Sequence, residues 1–212
     1  MYLSRLQLNP SSRDLWLNIM DQPHRLHQLV MKGFPDGVDR QTGNVLHRLE
    51  GGNDQPVLLV QSTTEPSWHT INPNLLLATD PFDPYPNPAV RELGELGLEN
   101  GRIFRFRLRA NPTIRKSSGK GNKPGPRVPL VKEETQREWL DRKAQQCGFH
   151  LIEAQINPEG VQKDYRKKLT IYTILVNGYL QITDSEKFHH ALTQGIGPGK
   201  AFGCGLLSLA PA

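Results

Sequence analysis

The run Gly195-Ile-Gly-Pro-Gly-Lys200-Ala-Phe-Gly-Cys-Gly205-Leu-Leu-Ser-Leu209 is the stretch from which the rest of the chain can be read. Five of its first eleven residues are glycine, and they lead into an apolar run, Leu206 to Leu209, that reads as a buried strand. Glycine admits positive φ and lets the backbone approach a ligand closely. Successive amides in such a loop form a nest for an anion, and Lys200 adds a positive charge. A phosphate backbone fits this chemistry. The lysine is followed by alanine rather than Ser or Thr and the Walker spacing is missing, which argues against a mononucleotide site. A plain tight turn between a helix and a strand accounts for the same glycines.

Working back from that run, Asp184 or Ser185 caps a helix through Leu192 that stops at Gly195. Asn177-Gly178 reads as a hairpin turn between strands Leu169–Val176 and Tyr179–Thr183. A further strand covers 149–156, and a helix runs from Glu133 or Glu134 to Gln146. Arg102 to Arg109 alternates, with Phe104, Phe106 and Leu108 on one side and Arg105, Arg107 and Arg109 on the other. At the other end Tyr2 to Leu8 has strand character, and Ser11 or Ser12 caps a helix with Leu15, Trp16 and Ile19 on one face. A second helical piece, capped by Asp21, runs from Pro23 to Lys32 with Leu26, Leu29 and Val30 together. His24, His27, Gln28 and Met31 fall on its other side. Strands at 45–50 and 57–61 follow, then a proline-rich stretch over 65–100 with room for a short helix at 72–78. The order predicts an α+β fold of two ferredoxin-like (RRM-like) domains in tandem with antiparallel sheets, residues 1–111 and 112–212. Such sheets commonly carry single-stranded and hairpin RNA.

The charge is concentrated. Of 26 Lys and Arg against 21 Asp and Glu, ten fall within residues 102–132, which hold no acidic residue; the rest of the chain is net −5. An arginine-faced strand running into a basic loop is the footprint of a polyanion. The candidate RNA contacts there are Arg105, Arg107, Arg109, Arg115, Lys116, Lys120, Lys123 and Arg127. A second cluster, Lys163, Arg166, Lys167 and Lys168, sits at the tip of a predicted hairpin, and Gly197, Gly199, Lys200 and Gly203 complete the set. Cys147 and Cys204 make no CxxC pair, and neither a signal peptide nor an apolar run of transmembrane length is present. These features predict a cytoplasmic protein with no membrane partner.

Several of these pieces together resemble the CRISPR-associated repeat-processing endoribonucleases of the CasE type, from the type I-E system. They are the start Met1-Tyr-Leu-Ser-Arg-Leu6, the segment from His27-Gln-Leu to Phe34-Pro35, Phe106-Arg-Leu-Arg-Ala-Asn-Pro112, Arg127-Val-Pro-Leu-Val-Lys132 and the glycine-rich run on to Pro211. The last looks like the signature of the repeat-associated RNA-binding proteins, and turns a polyanion partner into RNA.

The resemblance implies a prokaryotic enzyme that cuts repeat RNA beside its stem-loop without metal or cofactor. The 2′-hydroxyl attacks the adjacent phosphate, and the enzyme then stays on the product as a subunit of the surveillance complex. That chemistry needs a base, an acid and positive charge on the phosphorane. By position His27 matches the family's catalytic histidine. The family has tyrosine three residues earlier where this chain has His24, which leaves His24 either to position RNA or to act as a second acid or base. Lys32 is the candidate for stabilising the phosphorane. His47, His69, His189 and His190 read as structural or surface histidines, and Trp16, Trp139, Phe104 and Phe106 as core. The alternative to an enzyme is a non-catalytic subunit that holds the RNA hairpin.

Overall fold

The structure, a computed structural model, describes residues 1–20, 22–52, 54–79, 82, 84–116, 125–164 and 169–212, without the side chains of 163, 164 and 169. It has two compact units. One comprises 1–97 with 200–206, the other 98–199 with 207–212.

The first unit begins with β1 (Tyr2–Gln7) and α1 (Arg13–Leu15), which widens into a π-helical turn over Trp16–Met20. Ser12 caps α1, its hydroxyl accepting from the Leu15 amide. Next come α2 (Pro23–Met31), β2 (Leu46–Glu50), β3 (Val57–Ser62) and β4 (Ala89–Glu92). The sheet order is β2-β3-β1-β4 with every neighbour antiparallel, the ferredoxin-like arrangement. Pro23 opens α2, where its missing N–H costs nothing. Asp21, the expected cap, lies outside the described residues; Gln22 stands at the cap position and makes no side-chain cap bond. Leu26, Leu29 and Val30 are buried on the sheet with Leu6, Leu8, Leu58 and Val60. Burying each such side chain contributes about 1.5–3 kcal/mol.

The second unit repeats the order: β5 (Ile103–Ala110), α3 (Glu133–Gln146), β8 (Phe149–Asp164), β9 (Leu169–Ile182), α4 (Ser185–Gln194) and β10 (Leu207–Pro211). A small hairpin, β6 (Thr113–Arg115) with β7 (Arg127–Pro129), lies between β5 and α3. Its sheet order is β10-β5-β9-β8, again antiparallel. Phe104, Phe106 and Leu108 face inward, with Phe149 edge-on to Phe188 at 5.7 Å.

Three features depart from the sequence reading. The arginine strand, expected to close the first domain, is β5 and opens the second sheet, so the units do not divide at 111/112. The first sheet's fourth strand is instead β4, inside the proline-rich stretch. With one half-buried and three exposed residues, it shows no apolar alternation. The expected helix at 72–78 is a single 3₁₀ turn, Pro73–Leu75. Finally, Asn177-Gly178 is not a turn. Both residues lie within β9, opposite Gln155 and Ala154. A register shift falls between Leu151 and Glu153, next to this pair, and a Cβ on Gly178 would lie 2.0 Å from the Glu153 carbonyl oxygen. Glycine is required there for close approach rather than for a turn.

Candidate active site and RNA-binding residues

The polar side of α2 carries the histidines. His24 and His27, one turn apart, are both half-buried, and Gln28, about 40° beyond His24 around the helix, is exposed. The His27 ring stacks on His47 of β2, with centroids 6.0 Å apart and planes 23° from parallel. His47 is 1% exposed and lies on the helix-facing side of the sheet, between Val45 and Leu49 in the strand alternation. Its ring therefore lies against that of His27 from the sheet side. Sequence reasoning left His47 as structural, and no periodic signal marked it, because Leu46, His47 and Arg48 are all buried and alternation is erased.

Part of the glycine-rich run comes to the same place. The turn Lys200–Phe202 packs against both α2 and β2. Beyond it the Leu206 carbonyl accepts from the buried guanidinium of Arg48 at 2.8 Å, while the Arg48 Nε donates to Glu50 at 2.8 Å. A buried guanidinium is tolerated because a carboxylate and a carbonyl take up its donors. Lys200, half-buried, thus stands in the neighbourhood of the histidine helix. Gly197 (φ 79°) sits where a Cβ would come within 3.0 Å of the Trp139 ring. Gly199 and Gly203 also have positive φ, so the run needs glycine to follow its own path, whatever it binds.

Lys32, by contrast, is about 140° around the helix from His27. It is exposed and lines a cleft with Arg25, Gln28 and Leu29. His69 is exposed, its Nδ1 hydrogen-bonded to the Ser67 hydroxyl, and His189 and His190 are exposed on α4. Among the described residues no group of three His, Cys, Asp or Glu side chains gathers as a metal site.

In the second unit Arg105 and Arg107 are exposed on one face of β5. The Arg105 Nε donates to the Pro211 carbonyl at 3.3 Å and the Arg107 Nε to the Asn177 side-chain oxygen at 2.8 Å. Arg109 is half-buried in an ion pair with Glu159 at 2.6 Å. Arg115 and Arg127 face each other in the β6–β7 hairpin, both exposed, with exposed Lys116 next along the chain. Lys120, Lys123, Arg166, Lys167 and Lys168 lie outside the described residues, as does the side chain of Lys163.

Known proteins share this arrangement. The CRISPR-associated endoribonuclease Cse3 of Thermus thermophilus is 34% identical over the full length of both chains. The Cascade subunit CasE of Escherichia coli is 40% identical over 55% of this chain and 62% of its own. Among solved structures, Thermus thermophilus Cse3 bound to an RNA representing a pre-cleavage complex superposes with a TM-score of 0.82 at 32% identity, covering 99% of this chain and 98% of that one. A family model described as CRISPR associated protein matches residues 1–211, and by that match and the full-length identity the chain belongs to the CRISPR-associated protein family that includes Cse3 and CasE.

Proposed function

We propose that this chain is an endoribonuclease that cuts CRISPR repeat RNA beside its stem-loop and stays bound as a subunit of a Cascade-type surveillance complex. The observation that carries this reading is the full-length likeness to Cse3, an endoribonuclease seen with pre-cleavage RNA. In the proposed reaction a base takes the proton of the 2′-hydroxyl, and that oxygen then attacks phosphorus. The 5′-oxygen leaves with a proton from an acid, giving a 2′,3′-cyclic phosphate and a 5′-hydroxyl end. His27, stacked on His47, performs one of these proton transfers. His24, on the same side of α2, is placed to take the other or to align the ribose. Imidazole titrates near neutral pH and serves in either role. Lys32 and Lys200 supply positive charge to the RNA backbone, and the exposed arginines of β5 and the β6–β7 hairpin supply the salt-dependent part of affinity.

The groups assigned to the reaction are imidazoles and ammonium ions, which complete the proton and charge requirements without a divalent ion. The RNA substrate puts the work in the prokaryotic cytoplasm. Among the described residues no helix is long and apolar enough to cross a membrane. Incubating the protein with its repeat transcript in EDTA tests the proposal. One cut beside the stem-loop, with a cyclic phosphate end, is the expected result. Strict dependence on an added divalent ion would overturn the metal-free chemistry. Tight binding without cleavage in either condition would reduce the chain to a hairpin-holding subunit.

A further inference from the structure

The side of α2 away from His27 is not a closed surface. A cleft of about 510 Å³ opens there, within the first unit. Its floor is apolar: Ile19, Leu29 and Leu75, each less than a tenth exposed. Its walls are polar. Arg25, Gln28 and Lys32 come from successive turns of α2, Asn72 from the 3₁₀ turn opposite, and Asp14 and Asn18 from the α1 segment. Asp14 is engaged within the wall, accepting from the Asn18 amide at 2.6 Å. Arg25 and Lys32 are both exposed, and as two cations against one carboxylate they leave the cleft net positive.

The cleft is also built rather than incidental. The Thr70 hydroxyl donates to the Lys32 carbonyl at 2.6 Å and the Ser67 amide to the Gly33 carbonyl at 2.7 Å, which ties the far wall to the end of α2. The Asn9 amide donates to the Leu75 carbonyl at 2.9 Å, which ties that wall to β1's exit. Around α2 the side chains run in angle from His27 past half-buried Met31 to His24, Gln28, Lys32 and Arg25. A strand reacting at His27 and following that stripe arrives in the cleft.

We propose that this cleft takes one unpaired nucleotide adjoining the scissile phosphate, with its phosphate between Arg25 and Lys32 and its base on the Ile19–Leu29–Leu75 floor. The volume lies within the range of small-molecule pockets, and an apolar floor with side-chain amides at its edge suits a base with polar edges. The inference rests on the endoribonuclease reading. Placing the nucleotide there pulls the chain taut across the histidines and so contributes to alignment at the cut.

The test is a double-mutant cycle on the intact protein. Wild type and Arg25→Glu are titrated with repeat RNA, and with RNAs carrying a single abasic site at each unpaired position beside the cut. With intact RNA, Arg25→Glu is expected to weaken binding about tenfold, near 1.4 kcal/mol. One abasic position is expected to abolish most of that difference, and 2-aminopurine at that position is expected to change fluorescence on binding wild type but not the variant. An equal loss on every RNA would show Arg25 to be a general electrostatic contact and overturn the inference. No loss on any RNA, with failure of the variant to co-purify with the surveillance complex, would assign the cleft to a protein subunit and overturn it equally. If wild type neither binds nor cuts the repeat, the endoribonuclease reading fails first; if it does both and the cycle shows no coupling, the cleft inference alone fails.

Discussion

The two units fill one strand order unequally. In the second, the connection from third to fourth strand is α4, a ten-residue helix whose Asp184 cap accepts from the Lys187 amide and whose last turn stops at Gly195. In the first, the same connection holds two 3₁₀ turns and extended chain. Trp68, Ile71 and Leu75 from those turns fill the core where a second helix would lie, each less than a tenth exposed. The sheet order survives because burial, not helicity, closes the core. Replacing a helix by short turns leaves a concavity beside α2, and the histidine-bearing helix borders it. The first unit thus carries the histidine helix and the cleft, and the second the arginine strand and the small basic hairpin.

That division can be broken most directly at His27. His27→Ala is expected to slow single-turnover cleavage of the repeat at least about 100-fold while RNA affinity stays within about tenfold of wild type. An equal collapse of affinity would return His27 to a binding role and blur the contrast between the units. Next in size is a packing effect in the second unit. Gly178→Ala, forced against the Glu153 carbonyl, is expected to cost about 1–3 kcal/mol in denaturant unfolding. A neutral outcome would show that the Glu153 backbone does not crowd this position.

A smaller loss is expected from Arg105→Ala with Arg107→Ala. Binding should weaken, and the log–log salt slope should fall by roughly 0.7 to 0.9 for each phosphate contact removed, with the cleavage rate at saturating protein unchanged. A rate that falls while the slope holds would move the chemistry toward the second unit. The smallest effect belongs to Asp184. The side-chain and backbone hydrogen bonds of Lys187 hold its carboxyl below the usual aspartate range. A lowered folded-state pKa contributes stability that is complete above the ordinary aspartate value and is lost as pH falls through the folded one. The Tm difference between wild type and Asp184→Ala is therefore expected to be slight at neutral pH and to shrink in acid. A difference that grows in acid would contradict the assignment.

The fold class was legible because its strongest elements carry period. α2 has three buried apolar residues on one stripe, β5 alternates phenylalanine and arginine, and Ser12 and Asp184, each one of two expected cap residues, do cap their helices, the second of which ends at Gly195. What escaped was decided at long range. β4 is a strand only because β1 offers an edge to pair with. Gly178 is fixed by the close approach of the Glu153 carbonyl on β8, not by its neighbour Asn177. In the site, the His24 and His27 pair could be read from helical spacing, and the resemblance singled out His27. The stacking of His47 could not, since residues 27 and 47 are joined by a chain path that no local pattern describes. Arg25 carried no sequence signal either, since the other wall of its cleft comes from the distant segment around Asn72 and Leu75.

The path of the glycine-rich run has a consequence for synthesis. Residues 200–206 complete the first unit, and 207–212 then supply the edge strand of the second. Neither unit is a contiguous piece of chain, so no single cut yields two intact halves. On the ribosome, Arg48 must wait 158 residues for the Leu206 carbonyl that helps hold its guanidinium. The histidine helix and its sheet can assemble early, but the first unit reaches its final packing only once residues 200–206 have emerged. Completion of the first unit therefore waits on the chain that builds the second, and a chain arrested near residue 199 would carry the histidines without residues 200–206 of their own unit.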